Sequence, residues 1–336
     1  MSNNQLKLLN NIQSLYGNTP LLEVVFKFRN KILKIFAKYE AFNYSGSIKD
    51  RIALHILRNA YENNLIKKND IIVEATSGNT GIAFSALGKA LGHEVIIFMP
   101  DWLSKERYDA IELYGAKVIK ISSKQGGFLG SIAEVNKFLK NNTNAFSPHQ
   151  FDNIENINAH YLYTAKELFE QVSRNNLMIS HFIAGVGTGG TVMGIHKYCQ
   201  AHNLKVKCHP MEPQNSPTLS TGGKKIGKHR IQGISDEFIP AILKLNEIEK
   251  IVSVDDSEAI IMAQKINQIG LSVGISSGAN FIGALKLILE NDVSGVVTIF
   301  CDSALKYLST DLCKIQEIAK DSLANEVEIV EIIAHK

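Results

Sequence analysis

The chain has 336 residues, of which 45% are apolar and 21% charged, with a net charge of +3 and a pI near 8.5. This is the composition of a globular protein with ample core, long enough for one large domain or two ordinary ones. Lys67-Lys68 and Lys224-Lys225 are pairs and not a basic stripe, which excludes nucleic acid; with no run of about 18 apolar residues and no apolar signal region after Met1, a cytoplasmic protein without membrane contact is expected.

Residues 1–30 begin as a short helical pattern and reach the turn Gly17-Asn18-Thr19-Pro20, which leads into Leu21-Leu22. Lys31 to Tyr39 is an apolar run with β character. Asn43, Ser45 and Gly46 form a turn cluster, and the apolar spacing Ile48, Ile52, Ile56 predicts a helix from Lys49 to about Asn63. Ser47 followed three residues later by Asp50 reads as a capping box with Ser47 as N-cap. Ile71 to Ala75 is a buried-strand run. After it come Thr76-Ser77-Gly78-Asn79-Thr80-Gly81, a helix from Ile82 to Leu91, and a strand from Val95 to Met99 stopped by Pro100.

A helix (Ser104 to Tyr114), a strand (Lys117 to Ile121), a glycine-rich connection (Ser122 to Gly130) and a helix through Lys140 continue the alternation. Asn141-Asn142-Thr143-Asn144 marks a break, and a long helix is expected over Asn156 to Arg174. Strand His181 to Val186, loop Gly187-Thr188-Gly189-Gly190-Thr191, helix Val192 to His202 and strand Val206 to Met211 form a second unit. Pro213 to Gly233 is a long loop rich in Gly, Ser, Pro and Lys, a length that signals function or mobility. Helix Ser257 to Ile269, turn Gly274-Ile275-Ser276-Ser277-Gly278, helix Ala279 to Glu290 and strand Val296 to Cys301 close the pattern. Strands alternating with helices predict an α/β protein with two mainly parallel sheets, each covered on both faces and divided near residue 145. Cys199, Cys208, Cys301 and Cys313 show no metal or redox spacing and read as free thiols.

The capping register places Lys49 in the first helical turn, where the helix dipole is positive and a cation is disfavoured. A lysine set against the local field has reason to lose its proton, and the neutral amine is a nucleophile; taken alone, it reads first as a solvated surface lysine, a reading that the two anion sites further along overturn. Gly187 to Thr191 joins a strand to a helix, and its glycines, free N–H groups and two hydroxyls make a phosphate cup. The run Gly185-Val186-Gly187-Thr188-Gly189-Gly190 also matches the dinucleotide fingerprint, with Glu212 near the expected acidic position, so a nicotinamide oxidoreductase is a rival. Thr76 to Gly81 is a second strand-to-helix anion site, richer in side-chain donors and better suited to a planar carboxylate. A nucleophilic amine, a phosphate cup and a carboxylate cradle are together the parts that hold pyridoxal 5'-phosphate and an α-amino acid joined to it.

With these parts in place, the chain resembles the cysteine synthase and cystathionine β-synthase family, the fold-type II pyridoxal phosphate enzymes. The matching pieces are Gly17-Asn18-Thr19-Pro20, Ser47-Ile48-Lys49-Asp50-Arg51, Glu74 to Gly81, Met99-Pro100 with Ser104 and Glu106-Arg107, Gly187 to Thr191, Ile231-Gln232-Gly233-Ile234, Gly274 to Gly278, and Tyr307-Leu308-Ser309-Thr310. They follow family order along nearly the whole chain. The resemblance implies a two-domain, tryptophan synthase β-subunit-like fold. Residues 1–44 and 146–320 would form the large cofactor-binding domain and residues 45–145 a smaller mobile one.

The resemblance also implies roles. Lys49 holds the cofactor and later takes the Cα proton; Asn79 meets the ring hydroxyl. Gly187, Thr188, Gly189, Gly190 and Thr191 hold the phosphate, and Ser276 stands at the pyridine nitrogen. Thr76, Ser77, Gly78, Thr80, Gln150 and Gly233 bind substrate. A neutral hydroxyl at the ring nitrogen leaves the ring a moderate electron sink, which suits β-elimination better than transamination.

The implied reaction is β-replacement on an O-activated L-serine, O-acetylserine plus sulfide giving L-cysteine through an aminoacrylate intermediate. A homodimer and a serine acetyltransferase partner are implied alongside. Condensation of serine with homocysteine is the alternative: Gln150-Phe151, Ala159-His160-Tyr161 and Thr164-Ala165 lean toward the cystathionine β-synthase branch. Asp236-Glu237, acidic where cysteine synthases usually carry small residues, would attract an amine-bearing thiol. Tyr44 stands where the family usually has proline, which implies a looser approach to the lysine turn. A dinucleotide oxidoreductase and a non-catalytic binding protein on the same scaffold complete the range.

Overall fold

The computed structural model describes residues 2–317 and 321–335, so the domain limit expected at residue 320 lies outside the described residues. The first strands are β1 (Leu21–Phe28), β2 (Lys31–Tyr39), β3 (Ile71–Ala75), β4 (Glu94–Pro100), β5 (Lys117–Ile121) and β6 (Ala145–Phe146). They are followed by β7 (His181–Gly185), β8 (Lys207–Pro213), β9 (Val252–Val254), β10 (Val296–Phe300) and β11 (Val327–His335).

These strands form two sheets. The smaller has the order β5-β4-β3-β6 and every pair in it is parallel. The larger has the order β11-β1-β2-β10-β7-β8-β9, parallel from β2 onward and antiparallel at the β11-β1-β2 end. Strand β10 is buried along its whole length and β7 all but its last residue, as expected of strands covered by helices on both faces. The antiparallel end is a hairpin in which Arg29 and Asn30 both take positive φ (45° and 66°), the two-residue turn whose twist matches the strands it joins. Neither β1 nor β11 is among the strands read from the sequence.

The helices depart from expectation in one consistent way. They begin earlier than their apolar periodicity suggests, at Asn79, Gly190 and Ile275 in place of Ile82, Val192 and Ala279. Glycine, asparagine and threonine weaken a helix interior, but in the first turn the N–H groups need no intrahelical partner and these residues are tolerated. The two loops read as anion sites therefore run into first helical turns. The helix expected over 156–174 is two, Ile154–Ala159 and Lys166–Arg174, joined by a π-helical turn at His160–Ala165. There the helix Gly190–Ala201 comes so close that a Cβ on Gly194 would lie 2.4 Å from the His160 Cβ. Among the described residues no helix is long and apolar enough to cross a membrane.

Each sheet has its own core. One cluster gathers Ile52, Ile56, Ile82, Phe84 and Ile97 around the small sheet, with Leu9 and Tyr16 from the N-terminal segment. Another gathers Leu21, Phe36, Ile48, Phe182 and Val297 on the large sheet. Ile48 and Ile52 thus belong to different cores, and Lys49 lies between them.

Candidate active site

Lys49 opens the helix Lys49–Glu62. The turn before it is stitched to the large sheet: Ser47 bridges to Asp302, and the Ile48 N–H donates to the Cys301 carbonyl (3.0 Å). The expected capping box forms only its Asp50 half. The Asp50 carboxylate accepts from the N–H groups of Ser45 (3.0 Å) and Ser47 (3.1 Å), and from the Ser45 hydroxyl (2.5 Å). The Ser47 hydroxyl accepts from Lys49 N–H (3.2 Å) and not from that of Asp50, because the helix starts one residue later than the box requires.

Tyr44 does not loosen the approach. Its ring stacks on Tyr16 at 5.1 Å, and the neighbouring Asn43 amide bonds Glu40 (2.8 Å) while accepting from Gly17 N–H (2.8 Å). Below the lysine, Arg51 is buried against two carboxylates, Glu40 (2.5 and 2.7 Å) and Glu167 (3.0 and 3.1 Å).

The Lys49 side chain enters a pocket lined by Thr76, Ser77, Asn79, Thr80, Gln150, Gly187, Thr188 and Gly233, together with Phe151 and Asp236. Eight residues expected at the site thus meet around the lysine, drawn from both sheets. Burial pulls the Lys49 ammonium below its ordinary range, against the opposing pull of Cys301, Asp302 and Asp236. That is the condition for a free amine near neutral pH.

The cradle from Thr76 to Thr80 is tightly braced. Gly78 N–H donates to the Thr76 hydroxyl (2.9 Å), the Thr80 hydroxyl donates to Gln150 Oε1 (2.7 Å), and the Gln150 amide donates to Ala75 O (2.7 Å). Beneath it, burial pushes the Glu74 carboxyl up to about 8. Gly78 has φ 146°, and a Cβ there would stand 2.3 Å from the Arg107 Cδ, so only glycine fits.

On the opposite wall the N–H groups of Gly187, Thr188 and Gly189 have no acceptor among the described residues, and Gly189 caps the start of the helix Gly190–Ala201. A Cβ on Gly187 would meet the Gly233 carbonyl at 2.6 Å. Unpaired donors at the positive end of a helix, in a cup where no side chain fits, suit a phosphate. Gly189, Gly190 and Thr191 continue this loop behind the pocket lining. Asn156, which sequence reading passed over, ties the two loops together by donating to Thr188 Oγ1 (2.9 Å) and the Gln150 carbonyl (2.8 Å).

Asn79 is held from both ends: its Nδ2 donates to Asp302 Oδ2 (2.6 Å) and its Oδ1 accepts from Lys306 Nζ (3.1 Å). Lys306 also donates to the carbonyls of Ser45 (3.2 Å) and Gly46 (3.0 Å) in the lysine turn. Tyr307 donates to Asp302 (2.7 Å), and Arg107 donates to Tyr307 (2.8 Å) and to Gln232, which links the two sheets. Sequence reading gave Arg107, Asp302, Lys306 and Tyr307 no role, although Arg107 and Tyr307 fall within the matching motifs. Ser276 is buried beside the Cys301 thiol and outside the lining that Lys49 shares. Glu212, the acidic residue of the dinucleotide reading, is buried and accepts from Leu219 N–H (2.7 Å) and Ser220 N–H (3.3 Å), shaping the long loop.

An amine, a phosphate cup and a carboxylate cradle facing one pocket fit pyridoxal phosphate, and with the two α/β sheets they define a fold-type II enzyme. Residues 12–302 match the model for pyridoxal-phosphate dependent enzymes, and the chain belongs to that family. It is 40% identical over 307 residues to Cysteine synthase B of Campylobacter jejuni, covering 91% of this chain and 99% of that one. A hydrogen sulfide-producing enzyme from Fusobacterium nucleatum superposes with a TM-score of 0.94 at 51% identity, covering 97% of this chain and 99% of that one. A mutant of that enzyme has been solved in complex with an α-aminoacrylate intermediate. An O-acetylserine dependent cystathionine β-synthase from Helicobacter pylori superposes at 0.80 with 30% identity, covering 89% of this chain and 97% of that one. The cofactor is pyridoxal 5'-phosphate, the chemistry is of the β-replacement kind, and the dinucleotide reading is set aside.

Proposed function

We propose that the enzyme replaces the β-substituent of L-cysteine, with sulfide leaving and water entering. Asp236 carries this reading. It shares the pocket of Lys49, and burial pushes its carboxyl up to about 7, with Lys49 pulling down and Glu237 adding to the rise. A carboxyl titrating near neutral pH is matched to accepting a proton from water. A pair of carboxylates also disfavours the hydrosulfide anion as the incoming group, which suits sulfide to leaving. The 51% identity with a hydrogen sulfide-producing enzyme supports the same direction.

Pyridoxal phosphate, when bound, supplies an aldehyde that joins the substrate amine and a ring that takes up negative charge from Cα. Lys49 anchors the cofactor at rest and then removes the Cα proton. Gly187 to Thr191 would hold the phosphate, Asn79 would meet the ring hydroxyl, and Ser276 would reach the pyridine nitrogen from outside the lining that Lys49 shares. Thr76, Ser77, Gly78, Thr80, Gln150 and Gly233 hold the substrate carboxylate, with residues 45–145 moving as one unit over it. Asp236 takes a proton from water as its oxygen bonds to Cβ. L-cysteine plus water gives L-serine plus hydrogen sulfide.

A second reading, O-acetylserine plus sulfide giving L-cysteine, is favoured by the 40% identity with Cysteine synthase B. A cytoplasmic homodimer and an acetyltransferase partner go with it. Homocysteine as the entering thiol is favoured by the Helicobacter pylori neighbour and by the Asp236-Glu237 pair. Purified holoenzyme given L-cysteine alone is expected to release sulfide and serine in equal amounts. Fast cysteine formation from O-acetylserine and sulfide, with none of that release, would overturn the proposal, and cystathionine from serine and homocysteine would point to the third route.

A further inference from the structure

The residue two places beyond Asp236 is built into the other sheet. The Phe238 ring meets Phe151 at a centroid distance of 5.0 Å and Phe128 at 6.3 Å, while Phe128 meets Phe151 edge-on at 5.6 Å. Phe128 is a buried residue of the helix Gly127–Asn141, which packs on β3 and β4 of the small sheet. Phe151 lines the catalytic pocket beside Gln150.

The residue on the other side of Asp236 is fixed to the large sheet. Ser235 N–H donates to the Val186 carbonyl just past β7 (2.7 Å), and the Ser235 carbonyl accepts from His229 Nε2 (3.1 Å). Ser235 has φ 52°, so the chain turns sharply at this anchor. Gln232, earlier in the same loop, accepts from Arg107 of the small sheet. Asp236 therefore spans an anchor on one sheet and an aromatic plug on the other. Behind the plug lies a cavity of about 200 Å³ walled by Leu129, Ile132 and Val135 and sharing both Phe151 and Phe238. Packing on that side does not force the ring into place; the contacts with Phe128 and Phe151 do.

We infer that Phe238 is a positioning residue: docked on Phe128 and Phe151, it places the Asp236 carboxylate beside Lys49, so the proton acceptor is in place only while the helix Gly127–Asn141 is seated. The inference rests on the role proposed for Asp236. Lys49 and Glu237 are the charged groups that act on that carboxylate. Substrate activation at Cα depends on Lys49 and the loops, whereas water addition depends on where Asp236 points. Removal of the ring therefore separates the two halves of the reaction.

The experiment uses the holoenzyme and compares Phe238→Ala, Phe238→Leu and Asp236→Asn. Sulfide released in the first turnover with L-cysteine is expected to stay within about twofold of wild type in Phe238→Ala and Phe238→Leu. Steady-state serine formation is expected to fall about tenfold or more in Phe238→Ala, toward the Asp236→Asn level, and to recover largely in Phe238→Leu. The rise of the serine rate through about pH 7 is expected to move to lower pH in Phe238→Ala as the carboxyl becomes solvated. Backbone hydrogen exchange over residues 232–238 is expected to quicken. If Phe238→Ala does not fold, Phe128→Leu tests the same contact from the opposite side with the same expected pattern. Wild-type serine formation in Asp236→Asn would remove the role of Asp236, whatever Phe238 does. Slow serine formation in Asp236→Asn beside an unchanged pH profile in Phe238→Ala would overturn the positioning role alone. Equal loss of both steps in Phe238→Ala, with a lowered unfolding transition, would reduce Phe238 to core packing and also overturn it.

Discussion

Replacing Arg51 by methionine removes the side chain that neutralises two carboxylates beneath the lysine turn. Its side chain is 2% exposed and that of its partner Glu40 is 0% exposed. The guanidinium gives two hydrogen bonds to Glu40, two to Glu167 and one to the Thr19 hydroxyl (3.1 Å). Without it, Glu40 keeps only the Thr19 hydroxyl (2.7 Å) and the Asn43 amide (2.8 Å), too little for a buried charge. Breaking a buried pair from one side costs about 3–5 kcal/mol, a large part of the roughly 5–15 kcal/mol that holds a protein folded.

The pH dependence of that loss has a definite sign. In the wild type burial pushes Glu40 up, but Arg51 outweighs it and holds the carboxyl below its ordinary range. That stabilisation is present above the unfolded value of about 4.3 and is lost as pH falls through the lower folded value. In Arg51→Met burial wins, the folded value rises above the unfolded one, and protonation relieves the penalty. Urea unfolding of both proteins between pH 7 and 4 should therefore show the gap narrowing on acidification. A loss below about 1 kcal/mol at pH 7, or a gap that widens toward pH 4, would refute the reasoning.

Lys49→Ala is expected to abolish both turnover and the visible absorption of bound cofactor, read by spectroscopy of the purified protein. Gly78→Ala forces a Cβ into Arg107 at a φ of 146°, and strain of about 1–3 kcal/mol should appear as a lower unfolding temperature and a raised KM for the amino acid. Product formation is expected to rise as pH passes through about 7, where Asp236 becomes a carboxylate, and Asp236→Asn should flatten that rise in a stopped assay across pH 6 to 8.

Local signals carried most of the parallel architecture. Strands β3, β4, β5 and β10 are short apolar runs flanked by turn residues, and the sequence alone places them within a residue or two. Strand β11 was not legible because its pairing is not local, whereas β1, half of a tight hairpin with β2, was missed because the Arg29-Asn30 turn lacks the glycine that marks such turns. Leu21 pairs with His335 across almost the whole chain, and the burial of Val327–His335 follows no clean alternation. The same distinction holds in the site. Lys49, the Thr76 loop and the Gly187 loop announce themselves through glycine, hydroxyl and helix-start chemistry. Arg107, Asp302, Lys306 and Tyr307 act only by meeting one another across two sheets, which no spacing reveals. Asp236 stood out in the sequence as an acidic departure, but it is burial beside an amine, not composition, that raises its carboxyl to about 7.

The placement of Ile48 in one core and Ile52 in the other has a mechanical consequence. The chain passes here from one core directly into the other, so a rotation of one sheet against the other, as proposed for residues 45–145, would have its axis near these residues. Displacement grows with distance from such a fulcrum, so Lys49, set between the two cores, would travel little while the parts of the small sheet farthest from it moved most. The amine would thereby keep its aim through such a motion.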